Sequence, residues 1–356
     1  MQIRNLLDLG WSNYFQSQLD LGSLDSQLPF RVIAVQRNLV ECVGFDTNNL
    51  VKQLHISTYH WRDESPEGHP AVGDWVMLDL EYQPLHLLER KSLIKRKSVG
   101  RYSSIQPIAS NIDTAFIVTS CNDDFSVNRI ERYLSIAAES DVHSVVVLTK
   151  IDQCVDIQPY LDAITQCDPA LNVECVNATD SASLGVLRSW IRSGQTVALL
   201  GSSGVGKSTI INGLKGSLDQ ETGAIRESDS KGRHTTTSRS LHCLPGGGLL
   251  LDNPGMRELQ IVDSEEGIKA TFSDIDALAK RCRFRDCQHT TEPGCAVVAA
   301  INSGRLEQRR LDNYHSLLSE EARNSQSLAE QRHSDRALGR FYKTALKTSR
   351  QFKSRD

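Results

Sequence analysis

The 356-residue chain has no run that approaches about 18 consecutive apolar residues, so no membrane-spanning helix is expected. Its first residues, Met1 to Leu21, lack the basic start and apolar core of a secretory signal; Gln, Asn and Asp interrupt them. No long internal repeat and no low-complexity segment is found. The net charge of −4 lacks the basic excess of a nucleic-acid coat. What is there is ordinary: 39% hydrophobic and 24% charged residues, a globular composition in a length that suits two or three domains. Six of the nine cysteines (Cys42, Cys121, Cys154, Cys167, Cys175 and Cys243) are isolated in sequence. Without an export signal, free thiols in a reducing cytoplasm are expected rather than a disulfide framework.

The pattern changes along the chain. Residues 1–29 read as a short polar extension. Residues 30–93 carry short β-rich runs, Arg31–Gln36, Leu39–Gly44 and Asp74–Asp79, bounded by Asn, Gly and Pro. Several short strands in so few residues predict a small β-barrel, of which the OB-fold, an oligonucleotide binder, is a common kind. Residues 94–110 read as a linker. Lys91, Lys95, Arg96, Lys97 and Arg101 make its surroundings basic, as is the tail from Arg332 to Arg355. Such stretches either touch a phosphate backbone or are simply solvated. From 111 to 268, apolar strands (Thr114–Thr119, Ser144–Thr149, Val173–Val176, Thr196–Gly201, Leu241–Leu244, Leu249–Asp252) alternate with helical spacing, notably Asn128–Ser140 with Asn128 as N-cap. That alternation predicts an α/β domain with a mostly parallel sheet covered on both faces. Residues 269–356 read as helical and charged.

The chemistry begins at Gly201-Ser202-Ser203-Gly204-Val205-Gly206-Lys207-Ser208, a full match to the phosphate-binding G-x-x-x-x-G-K-[ST] loop, between an apolar strand and a helix opening at Thr209. Glycines let successive N–H groups turn onto phosphate oxygens, and the helix N-terminus adds its dipole. Lys207 is expected on the β- and γ-phosphates and Ser208 on Mg²⁺. Thr149-Lys150-Ile151-Asp152 resembles the N-K-x-D guanine motif. A carboxylate there accepts from guanine N1–H and the N2 amine, whereas adenine would leave a buried carboxylate unpaired. Thr149 stands where Asn is usual; its shorter hydroxyl predicts less bridging to the phosphate loop and weaker binding. Asn177-Ala178 lies where a backbone N–H would meet guanine O6.

Asp252-Asn253-Pro254-Gly255 resembles D-x-x-G: Asp252 would hold Mg²⁺ through water and the Gly255 N–H would sense the γ-phosphate. Between the two phosphate motifs lies Gly232-Arg233-His234-Thr235-Thr236-Thr237, where Thr236, then Thr235, is the expected Mg²⁺ ligand. Met256 follows Gly255 and cannot orient water, so slow intrinsic hydrolysis is expected, with a partner or His234 positioning the water. The guanine motif precedes the phosphate loop, so the GTPase domain is circularly permuted. The D-x-x-G segment then runs straight into the C-terminal domain, and the γ-phosphate state is expected to reposition that domain. Finally, Cys282, Cys287, His289 and Cys295 supply three thiolates and an imidazole, a complete tetrahedral set for one structural Zn²⁺. The segment around them has little apolar content, so the metal is expected to supply much of its stability.

Together with Val72-Gly73-Asp74-Trp75 and Gln106-Pro107-Ile108-Ala109-Ser110-Asn111-Ile112-Asp113, these motifs resemble the RsgA/YjeQ family of circularly permuted GTPases, from about Phe30 to Val298. The resemblance implies an N-terminal OB-fold, a permuted GTPase and a C-terminal zinc-binding helical domain. It also implies binding to the small ribosomal subunit and its rRNA, with the subunit stimulating GTP hydrolysis to GDP. A cytoplasmic monomer with no membrane partner is expected. Two departures are Thr149 for Asn and an N-terminal extension without the basic character of some members. The residues alone leave two other readings open: a P-loop ATPase or small-molecule kinase, and a nucleotide-gated RNA-binding module with little turnover.

Overall fold

Every residue of Thr114–Ser120 is buried in the computed structural model, which describes residues 3–36, 38–97, 105–216, 239–252 and 261–325. A strand buried on both faces belongs in the middle of a covered parallel sheet, and the topology puts it there. A 3-10 turn (Leu6–Leu9), α1 (Asn13–Gln16) and α2 (Leu21–Ser26) precede β1 (Gln27–Val35), β2 (Leu39–Phe45), β3 (Val51–Ser57), β4 (Trp75–Asp79) and β5 (Pro84–Leu87). β6 (Leu93–Lys97) and β7 (Ile105–Ser110) pair with each other. Next come β8 (Thr114–Ser120), α3 (Val127–Glu139), β9 (His143–Thr149), α4 (Gln158–Cys167), β10 (Asn172–Cys175), α5 (Gly185–Arg188), β11 (Thr196–Leu200) and α6 (Lys207–Lys215). β12 (Arg239–Cys243), β13 (Leu249–Asp252), α7 (Glu265–Thr271), α8 (Ser273–Ala279), α9 (Ala296–Asn302) and helical residues 308–325 complete the described chain.

The main sheet runs β10-β9-β8-β11-β13-β12 and continues into β1-β2-β3. Its first five strands are mutually parallel, and β12 returns antiparallel. Alternation decides the two cores. Ala115 and Ile117 face α3 and the C-terminal helices; Phe116 and Val118 face Leu187 of α5 and Ile210 and Leu214 of α6. On α3, Ile130, Tyr133, Leu134 and Ala137 recur at the spacing of one helical face. Its N-cap is Ser126, not Asn128; the Asn128 side chain instead accepts a hydrogen bond from Arg309 at 2.7 Å.

Three segments differ from expectation. The polar extension is packed: Leu9, Trp11 and Phe15 are buried against Trp75, with Trp11 edge-on to Trp75 at 4.8 Å. The expected linker holds β6 and β7. In the barrel region β1 pairs with both β2 and β4, β2 with β3, and β4 with β5. Among the described residues no ladder joins β3 to β5, so these strands form an open antiparallel sheet.

Two buried charges lock the parts together. Arg31 donates to the Leu9 carbonyl (2.9 Å), the Asn111 carbonyl (3.2 Å) and the Thr196 hydroxyl (3.2 Å), joining the N-terminal segment, β1 and the parallel sheet. Burial brings its guanidinium down to about 10, against the pull of Asp113 and Asp74. Beside it, Gly73 has a φ of 99°, and a Cβ there would stand 2.1 Å from the Ser110 carbonyl oxygen. The Val72–Trp75 and Gln106–Asp113 motifs therefore meet in one joint, where the Asn111 amide also donates to the Gly73 carbonyl at 2.8 Å.

At the other end, Glu131 of α3 is fully buried and accepts from Arg309 (3.0 and 3.2 Å), Arg310 (2.7 Å) and Asn313 (2.5 Å). Arg310 also holds Asp274 of α8 with two bonds of 2.8 Å. Gly267 of α7 crosses α3 so closely that a Cβ would lie 2.1 Å from the Ser135 carbonyl oxygen. The C-terminal helices are thus bolted to α3. Removing one partner of such a network strands the others. Glu131→Ala is expected to cost about 3–5 kcal/mol in urea unfolding, because two arginines lose their buried acceptor. A loss under about 1 kcal/mol would contradict this reading of the interface.

Candidate nucleotide site and zinc centre

In a parallel sheet all strand ends of one kind lie on one side, and ligands bind beyond the carboxyl ends. β11 leads into Gly201, β9 ends in Thr149 and β13 in Asp252, so the phosphate loop, the guanine-like motif and the D-x-x-G aspartate gather on that side. The loop is seated against β8: a Cβ on Gly201 would stand 2.4 Å from the Val118 carbonyl oxygen, at a φ of 147°. Gly204 and Gly206 also have positive φ, 81° and 99°, which a loop with inward N–H groups uses. Val205 is buried, Ser202 half-buried, Ser203 exposed. The Lys207 ammonium lies on the carbonyls of Gly201 (2.5 Å) and Ser202. Ser208 and Thr209 are exposed in the first turn of α6.

At the end of β9 the chain turns sharply through Lys150, which takes a left-handed φ of 59°. The short 3-10 turn Ile151–Gln153 then presents Asp152 exposed to solvent, not buried as its discriminating role had suggested. Thr149 is fully buried, and its hydroxyl is 2.6 Å from the Val205 carbonyl and 3.0 Å from the Thr119 carbonyl. The expected loss of bridging is therefore not what the geometry gives. The Asn177 carboxamide oxygen accepts from the Thr179 N–H (3.0 Å) and hydroxyl (2.7 Å), while the Asn177 backbone N–H donates to the Ser183 hydroxyl (2.8 Å). This folds the loop carrying Ala178 back on itself next to α6. Asp252 is half-buried at the last position of β13. His234, Thr235, Thr236, Thr237, Gly255, Met256 and the Arg332–Arg355 tail lie outside the described residues. Ser208 and Asp252 offer a hydroxyl and a carboxylate, the hard oxygen ligands that suit Mg²⁺.

The four expected zinc ligands converge, their ligand atoms all within 4.8 Å of one another. Cys282 Sγ to Cys295 Sγ is 3.8 Å, and His289 Nδ1 lies 3.6 and 3.5 Å from those two sulfurs. A tetrahedron with Zn–S of about 2.3 Å and Zn–N of about 2.05 Å has edges of about 3.8 and 3.6 Å, which the three distances among Cys282, His289 and Cys295 match. Burial pushes the Cys282 thiol up, but donors from the Ala296 and Val297 N–H groups and the Cys295 and Cys287 thiols bring it below its ordinary value. His289 takes a left-handed φ of 59° and its ring stacks on His315, 6.4 Å away. Cys295 opens α9, whose Val297 and Ala300 enter the same core as Phe272 and Leu311. The zinc loop is thus anchored to a real apolar core, more than its local composition suggested.

The profile of the RsgA GTPase family matches residues 87–262. A Vibrio parahaemolyticus protein named small ribosomal subunit biogenesis GTPase RsgA 2 is 48% identical over 345 residues, covering 97% of this chain and 94% of its own. The chain belongs to the RsgA GTPase family. A Mesorhizobium japonicum relative, small ribosomal subunit biogenesis GTPase RsgA, is 42% identical over 325 residues, covering 90% of this chain and 91% of its own. The family fold is seen in YjeQ from Thermotoga maritima, with a TM-score of 0.60 at 22% identity over 82% of this chain and 99% of that one. YloQ, described as a circularly permuted GTPase, gives 0.57 at 24% identity over 83% and 94%.

Sequence motifs missed the residues that hold this RsgA-family site in place. Arg31 and Glu131 each had one signal, a charge inside an otherwise apolar strand or helix face, but nothing to say which partners they meet. For the cluster, purification without chelator is expected to give about one zinc per chain, and Cys295→Ser well under half of that by metal analysis. A folded wild-type chain free of metal would contradict the assignment.

Proposed function

We propose that this RsgA-family chain hydrolyses GTP to GDP and phosphate and acts on the small ribosomal subunit during its late maturation, with the subunit stimulating turnover. One observation carries the nucleotide part: the phosphate loop, Thr149–Asp152 and Asp252 stand at the carboxyl ends of strands in one parallel sheet. The subunit comes from the names of relatives that match almost end to end.

In this reading the N–H groups of residues 201–206 cradle the phosphates, and Lys207 leaves the Gly201 and Ser202 carbonyls for the β- and γ-oxygens. Ser208, Asp252 and Thr236 hold Mg²⁺, which offsets charge on the phosphates when bound. Asp152 accepts from the guanine edge while Lys150 lies along the base. The Ala178 N–H meets O6, and the Gly255 N–H senses the γ-phosphate. Met256 has no group to orient water, so the subunit or His234 completes the catalytic arrangement. The domain plan is an extension (1–29), an OB-fold (30–93) facing rRNA, a connector (94–110), the GTPase (111–268) and a zinc-stabilised helical domain (269–356). Pairing of β1 with both β2 and β4 supports the OB order. The chain acts as a cytoplasmic monomer; free cysteines throughout support the compartment.

Competition binding tests base choice. GTP is expected to resist roughly a hundredfold excess of ATP, and Asp152→Asn to lose on the order of tenfold or more in GTP affinity. ATP that displaces GTP one for one would move the chain to the ATPase or kinase class.

A further inference from the structure

A backbone N–H reads a base well only when its peptide is held in place before the ligand arrives. Past the end of β10, successive N–H groups find acceptors within their own loop. Asn177 donates to the Ser183 hydroxyl oxygen at 2.8 Å, Thr179 to the Asn177 side-chain oxygen at 3.0 Å and Asp180 to the Asn177 carbonyl at 3.1 Å. The Ala178 N–H between them has no acceptor among the described residues. The Asn177–Ala178 peptide is planar and trans, so its C=O and N–H point in opposite directions. Asp180 holds that C=O on the inside of the turn, which leaves the Ala178 N–H pointing out of it.

The turn is fixed at both ends. On the entry side, Val176 is fully buried and donates to the Leu148 carbonyl at 2.9 Å, continuing the pairing of β10 with β9. On the return side, Leu184 is fully buried in the core that holds Ile210 and Leu214 of α6. The return leg is itself compact: Asp180 takes the Ala182 N–H on its side chain at 2.9 Å and the Leu184 N–H on its carbonyl at 3.2 Å. The Ser183 hydroxyl closes the base of the turn, because its partner Asn177 lies six residues back on the entry leg. Without that hydroxyl the Asn177 N–H is left to water, and the peptide carrying the Ala178 N–H loses the tie on its near side.

We infer that Ser183 is a positioning residue for base recognition, its hydroxyl fixing the turn that presents the Ala178 N–H to the oxygen at purine position 6. The inference rests on the GTPase reading above, in which that N–H meets O6. It brings a residue outside the nucleotide motifs into the choice of base. Adenine carries an amine at position 6, and a fixed N–H facing that amine is left unmatched.

Titration with 6-thio-GTP isolates the contact. This analogue keeps the N1–H and N2 amine that Asp152 would accept and replaces O6 with sulfur, a poorer acceptor. ITP does the converse, keeping O6 and lacking the N2 amine. Wild-type protein is expected to bind GTP about threefold to tenfold more tightly than 6-thio-GTP. Ser183→Ala is expected to weaken GTP by about that factor and 6-thio-GTP much less, so that their affinity ratio falls toward one, with the GTP-to-ITP ratio at its wild-type value. A merely structural loss would weaken all three nucleotides alike. Ser183→Thr keeps the hydroxyl and is expected to restore the wild-type ratio. Asp152→Asn is the contrast, moving the GTP-to-ITP ratio. A GTP-to-6-thio-GTP ratio unchanged in Ser183→Ala would overturn the inference, whether or not overall affinity falls. Wild-type protein that binds GTP and 6-thio-GTP equally would instead overturn the O6 contact on which the inference rests, and one that binds no GTP would sink the GTPase reading itself.

Discussion

The contact between Gly201 and the Val118 carbonyl is what the site depends on. A methyl group on residue 201 would stand 2.4 Å from that oxygen, so the first residue of the phosphate loop can only be glycine and the loop can only lie against the end of β8. From this seat the rest follows. β9 lies on the far side of β8, which brings Thr149 to Val205; β13 lies on the other side of β11, which brings Asp252 to the loop's flank. The order of these strands in space does not depend on their order in the chain. Moving the guanine motif ahead of the phosphate loop therefore leaves the site intact and changes only what is connected to what.

What is connected is held firmly. Arg31 fixes the open N-terminal sheet to β11 through the Thr196 hydroxyl, and β1 extends the main sheet through two register pairs with β12, Ala34 with Ser240 and Val35 with Arg239. Glu131 fixes the C-terminal helices to α3. A buried carboxylate between two arginines, one of them also bonded to Asp274, does not let go cheaply. Nucleotide-driven motion of the whole C-terminal domain, natural to expect when D-x-x-G leads straight into it, would have to break that network. Ile261 is itself anchored, its N–H on Glu320 at 3.3 Å and its carbonyl on Asn324 at 2.7 Å.

Much of this was legible in the residues. The largely apolar β8 and β11 and the alternation with helices announced a covered parallel sheet, and the Cys282–Cys295 spacing announced the metal cluster. Local patterns fail where tertiary contacts decide. Asn128 looks like an N-cap because its residue type favours one, yet Arg309 claims its side chain. Residues 94–110 look like a linker because they are basic and short, yet they pair as β6 and β7. The N-terminal segment reads as polar because its few apolar residues are spread out; Leu9, Trp11 and Phe15 meet only when Trp75 gathers them. Thr149 looked like a weakened bridge to the phosphate loop because the motif is defined by asparagine, yet its hydroxyl stands 2.6 Å from the Val205 carbonyl.

The central claim is that a GTPase site lacking a glutamine after Gly255 is completed by a ribosomal partner. Steady-state GTP hydrolysis, measured with and without purified small ribosomal subunits, tests it most directly. The account predicts a low basal rate that rises on the order of tenfold or more with saturating subunits. A rate unmoved by the subunits, in protein that still binds GTP tightly, would contradict it.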